Sequence, residues 1–315
     1  MAKIFVAGHN GMVGSAIKKK LSKKNEIFTA DKKKLDLINY DQTLKYFKRN
    51  NFDYVYICAA KVGGIYANSK YPADFIYQNL QIQNNCIISS YKTNVKKILF
   101  LGSSCIYPKN AKIPIKENYL LTGELEKTNE AYAISKIAGI KMCESFNNQY
   151  KTDFRAVMPT NLYGPNDNYN ELNSHVLAAL IKKIFIAKNK NQKKITIWGN
   201  GKPKREFLHT EDFAEACIKI MQISKKRYFD IVGQKNQFLN IGFGEDISIK
   251  NLTKLICNIL NFKGKIYYDH TKPNGTLRKL IDSSKIKKIN WSPKITLTEG
   301  ITSVILEFKK NTIKK

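Results

Sequence analysis

The stretch that most constrains the fold lies at the N-terminus. Lys3-Ile4-Phe5-Val6-Ala7 is a short apolar run that opens directly into Gly8-His9-Asn10-Gly11-Met12-Val13-Gly14, and a helical pattern then runs from Ser15 to Leu21. Strand, glycine turn and helix in this order predict an α/β sheet with a nucleotide at its carboxyl edge. Glycines let the backbone approach a pyrophosphate, and the helix N-terminus offers it free N–H groups and a positive dipole end. The spacing is GxxGxxG, a departure from GxGxxG. Gly8, Asn10, Gly11, Met12, Val13 and Gly14 are the candidate contacts.

The second apolar run, Glu26 to Ala30, ends at Asp31. An acid here suits a ribose 2′-hydroxyl and disfavours a 2′-phosphate. Lys32, Lys33 and Lys34 follow at once and can neutralise that phosphate, so NADP and NAD both stay open on chemistry alone. Asp36 and Leu37 lie where an adenine is read, and a helix N-cap explains Asp36 equally well.

The remaining pattern alternates. A helix is expected over 44–50, a buried strand over 54–60, a long helix from 71 or 72 to 91, a strand over 97–101, a helix over 131–149 and a strand over 154–158. This predicts a doubly wound parallel sheet of Rossmann type with a smaller mixed α/β domain. Residues 1–162 form the nucleotide domain and 163–315 mainly the substrate domain, with stretches near 206–222 and 239–243 returning to the sheet. A lysine-rich tail runs from Lys309 to Lys315. Ser103, Cys105 and Asn161 sit at strand ends, where ligands bind in such sheets. Tyr132 and Lys136 stand four apart on one helix face, where the ammonium favours the phenolate and lowers the tyrosine pKa.

Charge and cysteine usage narrow the classes. The chain carries 54 Lys and Arg against 25 Asp and Glu, a net +29. Only five of the cations are arginines (49, 155, 205, 227 and 278), and the lysines are spread along the chain, so no specific nucleic-acid site is expected. The field instead draws in anionic nucleotides. No apolar run is long enough to span a membrane, and Met1-Ala2-Lys3 runs straight into the first strand, which predicts a soluble cytoplasmic protein. The six cysteines show no metal-ligand spacing, so no metal is expected, and a reducing compartment keeps them as thiols.

AGHNGMVGSAI, AAKVGGIYAN, YPADFIYQN, FLGSSCIYPK, YAISKIAGIKMCESFN, MPTNLYGPNDN, SHV, REFLH and KPNGT followed by Arg278-Lys279 span nearly the whole chain. They resemble the extended short-chain dehydrogenases/reductases, and within these the bifunctional 3,5-epimerase and 4-reductases of GDP-4-keto-6-deoxymannose. The resemblance implies NADP(H), a GDP-sugar substrate and a homodimer. It implies that Tyr132 protonates the C4 oxygen, that Ser103 hydrogen-bonds the same oxygen, and that Lys136 holds the nicotinamide ribose. Cys105 and His175 correspond to the pair that moves protons at C3 and C5. Ala59, Ala60, Lys61, Leu101, Gly102, Pro159, Asn161, Leu162 and His175 correspond to cofactor contacts. Ser103, Ser104, Lys183, Trp198, Arg205, Asn274 and Lys279 correspond to substrate contacts, with Asn274 standing where an aspartate is expected. An alternative within the same resemblance is a GDP-4-keto-heptose reductase with weak or no epimerase activity.

Overall fold

The computed structural model describes residues 1–22, 25–170, 174–272 and 274–313. Asn173, Pro273 and the last two lysines of the tail, Lys314 and Lys315, lie outside the described residues. The first half runs β1 (Lys3–Ala7), α1 (Met12–Leu21), β2 (Glu26–Phe28), α2 (Tyr40–Asn50), β3 (Tyr54–Ile57), α3 (Ile65–Lys70), α4 (Pro72–Lys92), β4 (Lys97–Leu101), α5 (Glu130–Tyr150) and β5 (Phe154–Pro159). The second runs β6 (Asn161–Tyr163), α6 (Val176–Asn189), β7 (Lys194–Trp198), β8 (Lys204–His209), α7 (Thr210–Gln222), α8 (Lys225–Val232), β9 (Phe238–Ile241), β10 (Asp246–Ser248), α9 (Ile249–Leu260), β11 (Lys265–Asp269), β12 (Arg278–Lys279), α10 (Ser284–Lys287) and α11 (Leu297–Ile313).

Six parallel strands build the large sheet in the order β2-β1-β3-β4-β5-β9. Its central strands are near-continuous apolar runs because helices cover both faces. One face packs Phe47, Phe52, Ile87 and Ile140 against Phe5, Ile57, Phe100 and Phe154. The other packs Ile17, Phe213, Cys217 and Ile220 against Val6, Leu99 and Val157. Arg155 on β5 is fully buried, and its guanidinium takes both oxygens of Asp153 at 2.7 Å while donating to the Ile220 and Ile223 carbonyls at the end of α7. A buried cation therefore satisfies orphan carbonyls of a helix terminus.

A second sheet, β10-β8-β12 with β6 also on β8, and a two-stranded ladder β11-β7 lie in the later part of the chain. Leu180, Ile184, Phe207, Leu252, Ile256 and Ile301 form their core. The 206–222 stretch divides: β8 pairs in the second sheet, while α7, together with Leu208, packs against the large one. Strand β9 joins the edge of the large sheet beside β5.

Three local differences from the pattern have simple causes. β2 ends at Phe28 and β3 at Ile57, because the chain leaves the ladder where it turns toward the ligand edge. The α2 cap is Asn39, whose Oδ1 accepts from Gln42 N–H at 2.9 Å; Asp36 instead closes a short turn by accepting from Ile38 N–H at 3.1 Å. No helix among the described residues is long and apolar enough to cross a membrane.

Candidate active site

Backbone contact makes the cofactor end of the site. Gly8 has φ +80°, and a Cβ there would lie 2.7 Å from the Ala59 Cα; a Cβ on Gly14 would lie 2.2 Å from the Gly8 carbonyl oxygen. Gly11 N–H donates to that carbonyl at 3.1 Å, and α1 begins with no acidic residue in its first turn. Its dipole end at the carboxyl edge is therefore uncompensated, which fits a pyrophosphate. Asp31 Oδ1 accepts from Asn10 Nδ2 at 2.6 Å and lies 3.5 Å from His9 Nε2, with exposed Lys32, Lys33 and Lys34 just beyond. Burial and then Lys18 hold the His9 imidazole below its usual pKa, and Asp31 only partly opposes them.

Helix α4 fixes the loops around this end with buried amides. Asn79 Oδ1 accepts from Lys61 N–H at 2.9 Å and its Nδ2 donates to the Lys61 carbonyl at 3.0 Å, which holds the Ala59-Ala60-Lys61 segment. Asn85 Nδ2 donates to the Leu37 and Ile38 carbonyls beside Asp36. Gln83 Nε2 donates to the Ser135 carbonyl of α5. Their signal in the sequence was polar side chains on a face that apolar spacing assigns to the core.

The reactive end gathers on the loop after β4 and on α5. Lys136 is 3% exposed, and its Nζ donates to the Leu101 carbonyl at 2.8 Å while lying 4.9 Å from the Phe100 ring centroid and 5.8 Å from that of Tyr132. Burial pulls its pKa down to about 8, against a smaller opposing effect of Cys58. Gly102 packs on Met158, and a Cβ there would lie 2.2 Å from the Met158 methyl carbon. Ser103 Oγ accepts from Cys105 N–H at 3.3 Å and faces the Tyr132 phenol. Ser104 is buried in the one-turn helix that follows. The expected depression of the Tyr132 pKa by Lys136 does not occur in this arrangement. Burial raises it, Cys105 raises it further and Ser103 only partly offsets them, because the ammonium lies over the ring and is committed to a carbonyl.

Cys105 is half-buried, and Asn129 Nδ2 donates to its Sγ at 3.2 Å. Sequence reasoning missed Asn129; its only signal was its place just before the helix of Tyr132. His175 precedes α6 and is accessible to water, and surrounding protein holds its pKa below the usual imidazole value. Asn161 Nδ2 donates to the Glu206 carbonyl at 2.9 Å, which ties the Pro159 to Leu162 turn to β8.

Strand β8 then sets Arg205 beside Lys279 of β12 in parallel register. Burial lowers the Arg205 pKa, while Cys105 and Glu126 oppose that shift, so all three share one local field. Asn274 Oδ1 accepts from Asn200 N–H at 2.9 Å, a bond that an amide or a carboxylate makes equally well. Trp198 ends β7 with its face 55% exposed, and Lys183 Nζ donates to the Thr196 carbonyl on that same strand at 2.8 Å.

The model of the NAD dependent epimerase/dehydratase family matches residues 4–233. The chain belongs to this family. Within it, the chain is 45% identical to GDP-L-fucose synthase of Escherichia coli strain K12, over 98% of this chain and 97% of that protein. It is 48% identical to the putative GDP-L-fucose synthase 2 of Arabidopsis thaliana, over 100% and 94%. Among solved structures, a GDP-mannoheptose C4 reductase from Campylobacter jejuni with NADP bound superposes with a TM-score of 0.90 at 39% identity, covering 98% of each chain.

Proposed function

We propose that this chain is an NADP(H)-dependent epimerase-reductase that converts GDP-4-keto-6-deoxy-D-mannose to GDP-L-fucose. The reading rests on one observation: a ketone-reducing set and a second proton-transfer group meet at the loop after β4, where Ser103 Oγ accepts from the Cys105 amide and faces the Tyr132 phenol on α5. The near-full-length identity to GDP-L-fucose synthases supports the substrate. Residues 1–162 serve the nucleotide cofactor, while 163–315, apart from α7 and β9, serve the GDP-sugar. Two chains pair through α4 and α5, whose Tyr77 and Ile134 are exposed, and the free cysteines suit the cytoplasm.

NADPH, when bound, supplies the hydride. Gly8, Gly11 and Gly14 would cradle its pyrophosphate, Asn10 and Asp31 would meet the adenosine ribose, and Lys136 would hold the nicotinamide ribose. Hydrogens alpha to the C4 ketone are acidic because the carbanion delocalises as an enolate, which Ser103 and Tyr132 stabilise at the oxygen. Cys105 and His175 remove and return the protons at C3 and C5. Tyr132 then delivers its phenolic proton to the C4 oxygen. Arg205 and Lys279 bind the diphosphate, and Trp198 offers its face to the nucleoside.

A second reading, a GDP-4-keto-heptose reductase with weak epimerase activity, draws on the Campylobacter jejuni structure. Incubation with GDP-4-keto-6-deoxymannose in deuterated water separates the two. Deuterium at C3 and C5 before NADPH is added, followed by NADPH oxidation, is the expected result. Reduction without exchange favours the heptose reading, and neither reaction refutes both. Cys105→Ser should block exchange, whereas Tyr132→Phe should lower reduction by at least about a hundredfold and spare exchange better.

A further inference from the structure

Asn129 stands at the N-cap of α5, where an asparagine ordinarily accepts a hydrogen bond from an early helical N–H. Here the backbone is at φ −137° and ψ 21°, and the side chain makes no capping bond. The carboxamide turns to the loop after β4, and its Nδ2 donates to Cys105 Sγ at 3.2 Å. Its Oδ1 is buried with no hydrogen-bond partner among the described residues. Forgoing a cap worth about 1 kcal/mol while leaving a buried acceptor open is unfavourable for folding. The conformation therefore points to a role at the thiol.

We propose that Asn129 is the positioning residue that prepares Cys105 for proton exchange. The inference rests on the reading of Cys105 as an acid and base. When the thiolate takes a proton from carbon alpha to the C4 ketone, the C–H electron pair moves into the enolate and the proton onto sulfur. Reversal delivers the proton from sulfur to carbon. The Asn129 N–H stabilises the thiolate, and a flip of the carboxamide about its Cβ–Cγ bond, which exchanges Nδ2 and Oδ1, lets Oδ1 accept from the S–H. One amide thus serves both protonation states, which neither a carboxylate nor an aliphatic side chain does. The other charged and titratable groups facing the thiol are Tyr132 from α5 and Arg205 from β8, with Glu126 acting on Arg205. Arg205 is cationic, and Tyr132 stays neutral because burial holds its pKa up.

Alkylation by iodoacetamide, followed at the Cys105 peptide by mass spectrometry from neutral to alkaline pH on the intact protein, reads the thiol directly. Asn129→Ala should raise the midpoint by about one pH unit. Asn129→Asp should raise it further, because a carboxylate cannot donate and repels the thiolate, and Asn129→Ser should return it toward wild type. The pH profile of deuterium exchange in the absence of NADPH should move in the same direction. Midpoints unchanged in the alanine and aspartate variants would overturn the proposal. If the alanine variant does not fold, equal midpoints in the serine and aspartate variants would overturn it too. Full exchange in Cys105→Ser alongside a shifted alkylation midpoint would instead refute the acid-base reading of Cys105 and leave the tuning by Asn129 standing.

Discussion

Lys136 shows what burying a single charge costs. A lysine 3% exposed whose pKa falls from 10.5 to about 8 carries a charge the fold disfavours. The depressed folded-state value means the unfolded chain binds more protons between those two pH values. Stability therefore rises with pH through that window, and the full penalty, about 3 kcal/mol, applies below it. Lys136→Met should raise the unfolding free energy of the ligand-free protein at neutral pH by about 1–3 kcal/mol and abolish ketone reduction. Urea denaturation checks this. The gain should shrink when the measurement is repeated in alkaline buffer, and a variant less stable than wild type at neutral pH would contradict the account.

At the scale of elements, α4 acts as a bracket as well as a sheet-covering helix. Its Asn79, Gln83 and Asn85 are each at most 5% exposed, yet each spends its amide on a different neighbouring segment. The helix therefore places the Lys61 loop, α5 and the Leu37 loop relative to one another. Replacing Asn79 by leucine leaves the Lys61 N–H and carbonyl without their partner, at about 1–3 kcal/mol for each buried group. The expected outcome is a loss of about 2–4 kcal/mol in urea denaturation together with weaker NADPH binding by fluorescence titration. Unchanged NADPH affinity in a folded variant would show that the loop is held by other means.

For the whole molecule, the exposed faces of α4 and α5 set the expectation. Tyr77 at 57% and Ile134 at 42% exposure are large apolar side chains left on two long helices that pack on each other. Two copies meeting across a two-fold axis would cover them. Analytical ultracentrifugation should give a dimer for the wild-type chain and a monomer for the Tyr77→Glu, Ile134→Asp double variant. A wild-type monomer at micromolar concentration would refute the pairing.

The parallel sheet, the glycine turn and the Tyr132–Lys136 helix were legible in the residues because each depends on local spacing. Period-two and period-3.6 patterns are set by the backbone, and a glycine turn after a strand needs no distant partner. Local spacing did not show that Asn39 rather than Asp36 caps α2, nor that β8 pairs away from the large sheet, because strand pairing and caps are competitions between neighbours. It also missed Asn129, whose chemistry depends on Cys105 arriving from another loop. The electrostatics followed the same division. The sequence put an ammonium one turn from a phenol, but only the fold decided that the ammonium meets a carbonyl and that burial, not the neighbouring charge, dominates the phenol. Desolvation and long-range contacts exist only once the chain has packed.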